Sequence, residues 1–308
     1  MILTVTPNPA VDVVYFVEEF KMGDVHRPYN MTATAGGKGL NVARVGKIIG
    51  EETVAMGFTG GNNGAFIEEG VEKIGITNLF TKVSGETRRC VNISDETGKS
   101  GEILEAGPEV TKEEEELFLK AFSEEVKKAD IICASGSVPK GIDSNFYCKL
   151  VKIAKENGKK IIVDTSGKLL ESVIEAKPYM VSPNKDELCA LTGCKTESEE
   201  DIKNALFAMF EKGIELPIVT LGKDGAIALC DGKFYKFIIP AVDVKNSVGS
   251  GDSTVAGIAV GISRGMKTTD AICLGMACGI ANTQFYETGF VSKELVDKYF
   301  KEIKFSEI

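Results

Sequence analysis

The 308-residue sequence predicts an α/β protein: a mainly parallel sheet with helices on both faces, and a small accessory sheet beside it. Three observations predict this. Short apolar runs alternate with amphipathic stretches, the pattern of strand–helix–strand units. Helical stretches close on glycines, as at Gly158 and Gly213. Two stretches in the N-terminal third break the rhythm and read as extended chain. No Pro/Ser-rich linker, low-complexity tract or internal repeat interrupts the sequence. Residues 1–308 are therefore read as one α/β domain whose accessory sheet comes from about 11–35 and 88–106, although length alone allows two domains.

Each element has its own signal. Ile2-Leu3-Thr4-Val5-Thr6 reads as a first, buried strand and not as a signal peptide, because no basic segment precedes it. Val11 to Ala35 is extended, with a turn at Gly23-Asp24. Arg88 to Glu105 holds two strand-like runs around a turn at Gly98. Thr111 with Glu114 forms a capping box before Leu117, Leu119, Phe122 and Val126. The acids Glu113 to Glu116 read as a solvated helix start. Ile131–Ala134, Lys160–Asp164, Tyr179–Val181 and Pro217–Leu221 are further buried strands. Phe146 to Glu156 and Asp201 to Lys212 have helical periodicity, as do Val255 to Ser263 and Ala271 to Thr283.

Composition removes several function classes. Lys plus Arg is 36 against 45 Asp plus Glu, a net charge of −9, which argues against a general nucleic-acid binder. His26 is the only histidine, so Ser-His-Asp catalysis and histidine zinc sites are excluded. The eight cysteines form no C-x-x-C pair and read as buried, reduced thiols of a cytoplasmic protein. No apolar run is long enough to span a membrane. Gly98-Lys99-Ser100 imitates the end of a P-loop, but Ile93 stands where its first glycine belongs. No G-x-G-x-x-G follows the first strand.

Five clusters remain. Asn246 to Thr254 contains Gly249-Ser250-Gly251-Asp252 entering a small-residue helix. Free amides at a helix start form an anion hole, and Asp252 beside it could take the proton of a hydroxyl attacking phosphorus. A helix cap is the plain alternative. Gly36-Gly37-Lys38-Gly39-Leu40-Asn41 allows close ligand approach, with Lys38 as a point charge for phosphate and Asn41 for a sugar hydroxyl; a tight turn with a solvated lysine would look the same. Thr6 to Asp12 presents Asp12 after the first strand, at the edge where open α/β sheets bind ligands, or as a turn residue. Asn184 and Glu187 are three apart at a helix start, suited to Mg²⁺ held largely through water or simply to capping. Thr220, Gly222 and Gly225 lie in a strand–turn–strand that a nucleotide could cross, or in a plain hairpin.

The succession TPNPAVD, AGGKGLN, GETR, SGSVPKG, SPNKDE, TLGKDGA and NSVGSGDST resembles the ribokinase-like (PfkB) family of sugar kinases, from Met1 to about Val296. The resemblance implies a three-layer αβα core with a mainly parallel sheet and a small β-sheet lid. It implies transfer of phosphate from ATP, with Mg²⁺, to a sugar phosphate. Asp252 matches the family's base and Gly249, Ser250 and Gly251 its anion hole. Asp12, Gly37, Lys38 and Asn41 match sugar-binding positions, with Arg88, Lys38 and more weakly Arg27 for the phosphate already on the sugar. Asn184 and Glu187 match the magnesium-related N-x-x-E element. Thr220, Gly222 and Gly225 match the nucleotide side, with Asn282 as an adenine neighbour. The lid sheets are also expected to join a homodimer.

Within the family, N-P-A-x-D and Thr87-Arg88 look like the branch of tagatose-6-phosphate kinases and 1-phosphofructokinases. TAGGKGLNVARV, EILEAGPEV and VGSGDSTVAGI look closer to the former. Thr87-Arg88-Arg89-Cys90-Val91 departs from the T-R-I-N-V usual in the latter. The expected activity is phosphorylation of D-tagatose 6-phosphate. The alternatives are a 1-phosphofructokinase and a non-catalytic sugar- or nucleotide-binding protein on the same fold.

Overall fold

Successive side chains of each short core strand point to opposite faces of the sheet and are buried on both, which decides how the layers form. A computed structural model describes residues 1–97 and 100–308; the expected Gly98 turn lies outside the described residues. The N-terminal half contains β1 (Ile2–Thr6), β2 (Ala10–Val17), β3 (Asn30–Gly36), α1 (Lys38–Ile48), β4 (Thr53–Thr59), α2 (Gly61–Lys73), β5 (Thr77–Asn78), β6 (Thr81–Lys82), β7 (Arg88–Asp95), β8 (Ser100–Leu104), α3 (Lys112–Glu125), β9 (Ile131–Ser135) and α4 (Phe146–Glu156). There follow β10 (Lys160–Asp164), α5 (Gly167–Ala176), β11 (Met180–Val181), α6 (Lys185–Thr192), α7 (Glu199–Glu211), β12 (Leu216–Thr220), β13 (Ala226–Cys230), β14 (Lys233–Ile238), α8 (Ser250–Ser263), α9 (Thr268–Asn282), α10 (Lys293–Glu302) and β15 (Lys304–Glu307).

The large sheet runs β15-β14-β13-β12-β11-β10-β9-β1-β4-β5, with β6 beside β4. It is parallel from β12 to β5, and the β13–β15 end is antiparallel. Leu3, Val5, Ile132, Ala134, Ile161 and Val163 face α3, α4, α5 and α7; this layer includes Phe58, Phe118, Phe122 and Phe146. Ile2, Ile131, Cys133 and Ile162 face α1, α8, α9 and α10. Two buried faces explain why these strands read as continuous apolar runs. The four strands β3-β2-β7-β8 make a separate sheet, drawn from the two stretches that break the sequence rhythm. A third cluster of Val11, Val13, Leu40, Ala43, Ile67 and Val71 ties this sheet to α1 and α2.

The structure also refines the sequence reading. The Thr111–Glu114 capping box forms. Among the acids at that helix start, however, Glu115 is buried and accepts from Lys149 Nζ at 2.6 Å. The first β-turn-β of the nucleotide side is an antiparallel hairpin between β12 and β13. The cysteines are free thiols, and burial pushes those of Cys273 and Cys278 up to about 12. Among the described residues no helix is long and apolar enough to cross a membrane.

The topology fixes where a ligand can sit. From β1 the chain adds β4 and β5 on one side, then β9 to β12 on the other. The crevice beyond the C-terminal end of β1 is thus a topological switch point, where open α/β sheets bind ligands.

Candidate active site

Two helix N-termini converge on that crevice. α1 begins after Gly37 and packs against α8, which begins after Gly249. Gly249 has φ +81°, a conformation glycine adopts without penalty. A Cβ there would also stand 2.7 Å from Thr288 Cγ2. The Ser250 N–H donates to Ser247 O at 3.2 Å, so its amide is taken up by the turn. The amides of Gly251 and Asp252, second and third in the helix, have no intrahelical acceptor. A Cβ on Gly251 would meet no atom within 4 Å, so the space beside Gly251 is open. Of the three residues expected to form an anion hole, Gly249 to Gly251, only Ser250 has its amide engaged by the turn, and the next amide, of Asp252, is also without an intrahelical acceptor.

Asp252 is 6% exposed. Asn41 Nδ2 donates to its Oδ2 at 2.8 Å, and Lys38 Nζ lies 3.7 Å from its Oδ1. Lys38 also donates to Asp164 Oδ2 at 2.9 Å; Asp164 ends β10 and is buried. Burial pushes the Asp252 carboxyl up to about 6, Asp164 adds to the rise, and Lys38 and Asn41 oppose it. For Lys38, burial opposes the charge, but Asp164 and Asp252 together hold the ammonium above the usual lysine range. The cluster is an ionised lysine between two carboxylates, facing uncovered amides. It can receive a proton at Asp252 and balance negative charge at Lys38. Lys38, expected at the sugar's own phosphate, carries its ammonium between Asp164 and Asp252.

The small sheet carries Asp12 and Arg88, two of the residues expected on the sugar side. Asp12 on β2 accepts from the Gly37 amide, and burial lifts its carboxyl to about 6 against the charges of Arg88 and Arg44. Arg88, opening β7, donates through Nε and Nη2 to Asn8 O at 3.1 and 2.9 Å, and through Nη1 to Glu105 O at 3.1 Å. Much of its fork therefore fastens β7 to the loop after β1. Its charge remains beside Asp12. Arg27 stands exposed on the β2–β3 connection. Thr6 Oγ1, Asn8 Oδ1 and Ser135 Oγ are buried at the ends of β1 and β9 without a protein partner, adding unused polar capacity there.

Asn184 and Glu187 form a capping box on α6: Glu187 N donates to Asn184 Oδ1 at 2.9 Å, and Asn184 N to Glu187 Oε2 at 3.0 Å. The capping alternative is thus realised. The Glu187 charge still acts on Lys38. No group of three acidic or Cys/His ligands stands together among the described residues. The donors present fit a magnesium ion carried largely by phosphate oxygens and water. Thr220 ends β12, and the short turn Gly222–Asp224 leads to Gly225. Asn282, expected beside adenine, is fully buried. It donates to Val248 O at 2.9 Å and accepts from the amides of Gly289 and Phe290 at 2.8 and 3.3 Å. It is a clamp on the loop before α8, with no surface for a base.

Sequence reasoning missed Asp164 and Arg44. Asp164 carried a faint signal, an acid ending an apolar strand. Arg44 lies one turn beyond Asn41 on α1 and donates to Asn41 Oδ1 at 2.9 Å, to Thr288 O at 3.1 Å and to Ala35 O.

The likenesses to known proteins agree with this geometry. The family model for pfkB family carbohydrate kinases matches residues 8–294. A tagatose-6-phosphate kinase of Staphylococcus epidermidis is 41% identical over the full length of both chains. A Staphylococcus aureus structure provisionally described as a phosphofructokinase superposes with a TM-score of 0.88 at 34% identity, covering 100% of this chain and 99% of the other. A Thermotoga maritima structure described as a possible 1-phosphofructokinase gives 0.89 at 28%, with the same coverage.

Proposed function

The chain belongs to the pfkB family of carbohydrate kinases, and we propose that it transfers the γ-phosphoryl group of ATP to O1 of D-tagatose 6-phosphate. The products are D-tagatose 1,6-bisphosphate and ADP. The observation that carries the chemistry is the buried Asp252 carboxylate, flanked by Lys38 and lying beside uncovered amides at the start of α8. The choice of sugar is supported by the 41% identity to a tagatose-6-phosphate kinase.

Each group then has a task. Asp252 Oδ1 accepts the O1 proton as the oxygen attacks in line, which raises its nucleophilicity when the bond to phosphorus forms. The amides of Gly251 and Asp252 and the Lys38 ammonium stabilise charge that grows on the equatorial phosphoryl oxygens. Asp164 holds Lys38 at that place. Asp12 and Asn41 bind sugar hydroxyls. Arg88 serves the 6-phosphate with the N–H groups its backbone contacts leave free. Glu187 would hold Mg²⁺ through water; bound with ATP, the ion supplies charge neutralisation on the β- and γ-phosphates. The Thr220–Gly225 hairpin supports the nucleotide. The lid sheet excludes water, which would otherwise accept the phosphoryl group.

The experiment is ³¹P NMR of a reaction with MgATP and D-tagatose 6-phosphate. We expect ADP and a sugar carrying two phosphate resonances in equal amounts. ADP with inorganic phosphate alone, or no ADP, overturns the reading, and the second outcome is what a binding protein would give.

A further inference from the structure

We propose that Arg44 is a positioning residue, which holds the Asn41 amide so that its nitrogen, not its oxygen, meets Asp252. The inference rests on the reading of Asp252 as the base. The two ends of an asparagine amide have nearly the same shape and differ only in donor and acceptor character. Something must therefore decide which end faces the carboxylate. A guanidinium has donors and no acceptor. With Arg44 Nη1 2.9 Å from Asn41 Oδ1, the oxygen is committed and the nitrogen is delivered to Asp252 Oδ2 at 2.8 Å. That leaves Asp252 Oδ1, the oxygen near Lys38, for the substrate hydroxyl.

The guanidinium is itself fixed from two further directions. It donates to Ala35 O, at the end of the lid strand β3, and to Thr288 O in the loop that packs on Gly249. Arg44 thus links the lid hinge, the base and the wall of the anion hole through one rigid fork. A lysine cannot satisfy three acceptors in those directions.

The charges around the base give the inference a readout. Asp252 faces Lys38 and Arg44 from α1 and Asp164 from β10. Asp12 on β2 faces Arg44 together with Arg88 from β7 and Glu102 from β8, and Glu187 on α6 acts on Lys38. The Asn41 hydrogen bond and the Arg44 charge both favour the carboxylate. Losing them raises the carboxyl's pKa, so the acid limb of the kcat profile moves to higher pH.

The test is a double-mutant cycle of Arg44→Met and Asn41→Ala, with Arg44→Lys and Asp252→Asn alongside. Arg44→Met should lower kcat about 10–100-fold, the scale of a misplaced catalytic group, with KM for MgATP changed by less than about 2-fold. It should move the acid limb upward. In the Asn41→Ala background it should cost less than about 2-fold more, because residues acting as a unit are non-additive. Arg44→Lys should recover part of the rate. If Arg44→Met does not fold, the same cycle run with Arg44→Lys decides. Equal losses in both backgrounds, or an unmoved acid limb, overturn the inference while Asp252→Asn remains inactive. Full turnover by Asp252→Asn overturns the base reading itself.

Discussion

At the scale of single residues, Asp252 carries a conflict between stability and activity. Burial lifts its carboxyl to about 6 in the folded chain, against about 3.9 when unfolded. The folded state therefore binds the proton more tightly, and the ionised form costs stability above that range. Asp252→Asn should remove turnover by at least about 10²–10⁴-fold while MgATP and sugar phosphate still bind. The same variant should be more stable to unfolding than the parent at pH 8, by about 1–3 kcal/mol, with the gap closing as pH falls toward 4. Near-normal kcat, or a stability difference independent of pH, would contradict the assignment. Asp252 was legible because glycines entering a helix and an acid beside them are adjacent in sequence. Asp164 and Arg44 were not, because their meaning lies in long-range contacts: Lys38 and Asp164 are 126 positions apart, and Asn41 and Asp252 are 211 apart. Asn282 shows the converse: a polar residue inside a late helix spends its amide on backbone.

At the scale of elements, strands with two buried faces and helices with a cap were legible from local pattern. The helix expected over Phe146 to Glu156 has those bounds. The two-residue strands β5 and β6 have too few residues for any period to show, whereas β11 lies inside the apolar run Tyr179–Val181. The capping box on α6 could not be told from an ion site by spacing, since N-x-x-E satisfies both. Packing of α8 on α9 has its own signature. A Cβ on Gly257 would stand 2.6 Å from Leu274 O, and one on Gly275 would stand 2.6 Å from Thr254 O. The small residues of both helices thus set the distance at which the α8 N-terminus is held. Gly257→Val should destabilise the fold by about 1–3 kcal/mol through overpacking, measured by urea unfolding with an unchanged m-value. Unaltered stability would mean the crossing is looser than the structure has it.

At the scale of the whole molecule, the accessory sheet leaves apolar side chains uncovered at its edges. Met31, Ile103 and Leu104 on its edge strands β3 and β8 are half or more exposed, and an open apolar edge favours pairing. We expect a dimer through these sheets: sedimentation should give a dimer at micromolar concentration and a monomer for Ile103→Glu, and a monomeric parent would contradict it. The order of the clusters along the chain made the family legible, while the sugar itself depends on hydroxyl geometry inside a closed lid. The sugar is therefore tested most directly by kcat/KM for D-tagatose 6-phosphate, D-fructose 6-phosphate and D-fructose 1-phosphate at one MgATP concentration. The account predicts the highest value for D-tagatose 6-phosphate, with D-fructose 1-phosphate about 10²-fold or more below it, the scale of one unmade hydrogen bond in a site built for it. A clear preference for D-fructose 1-phosphate would contradict it.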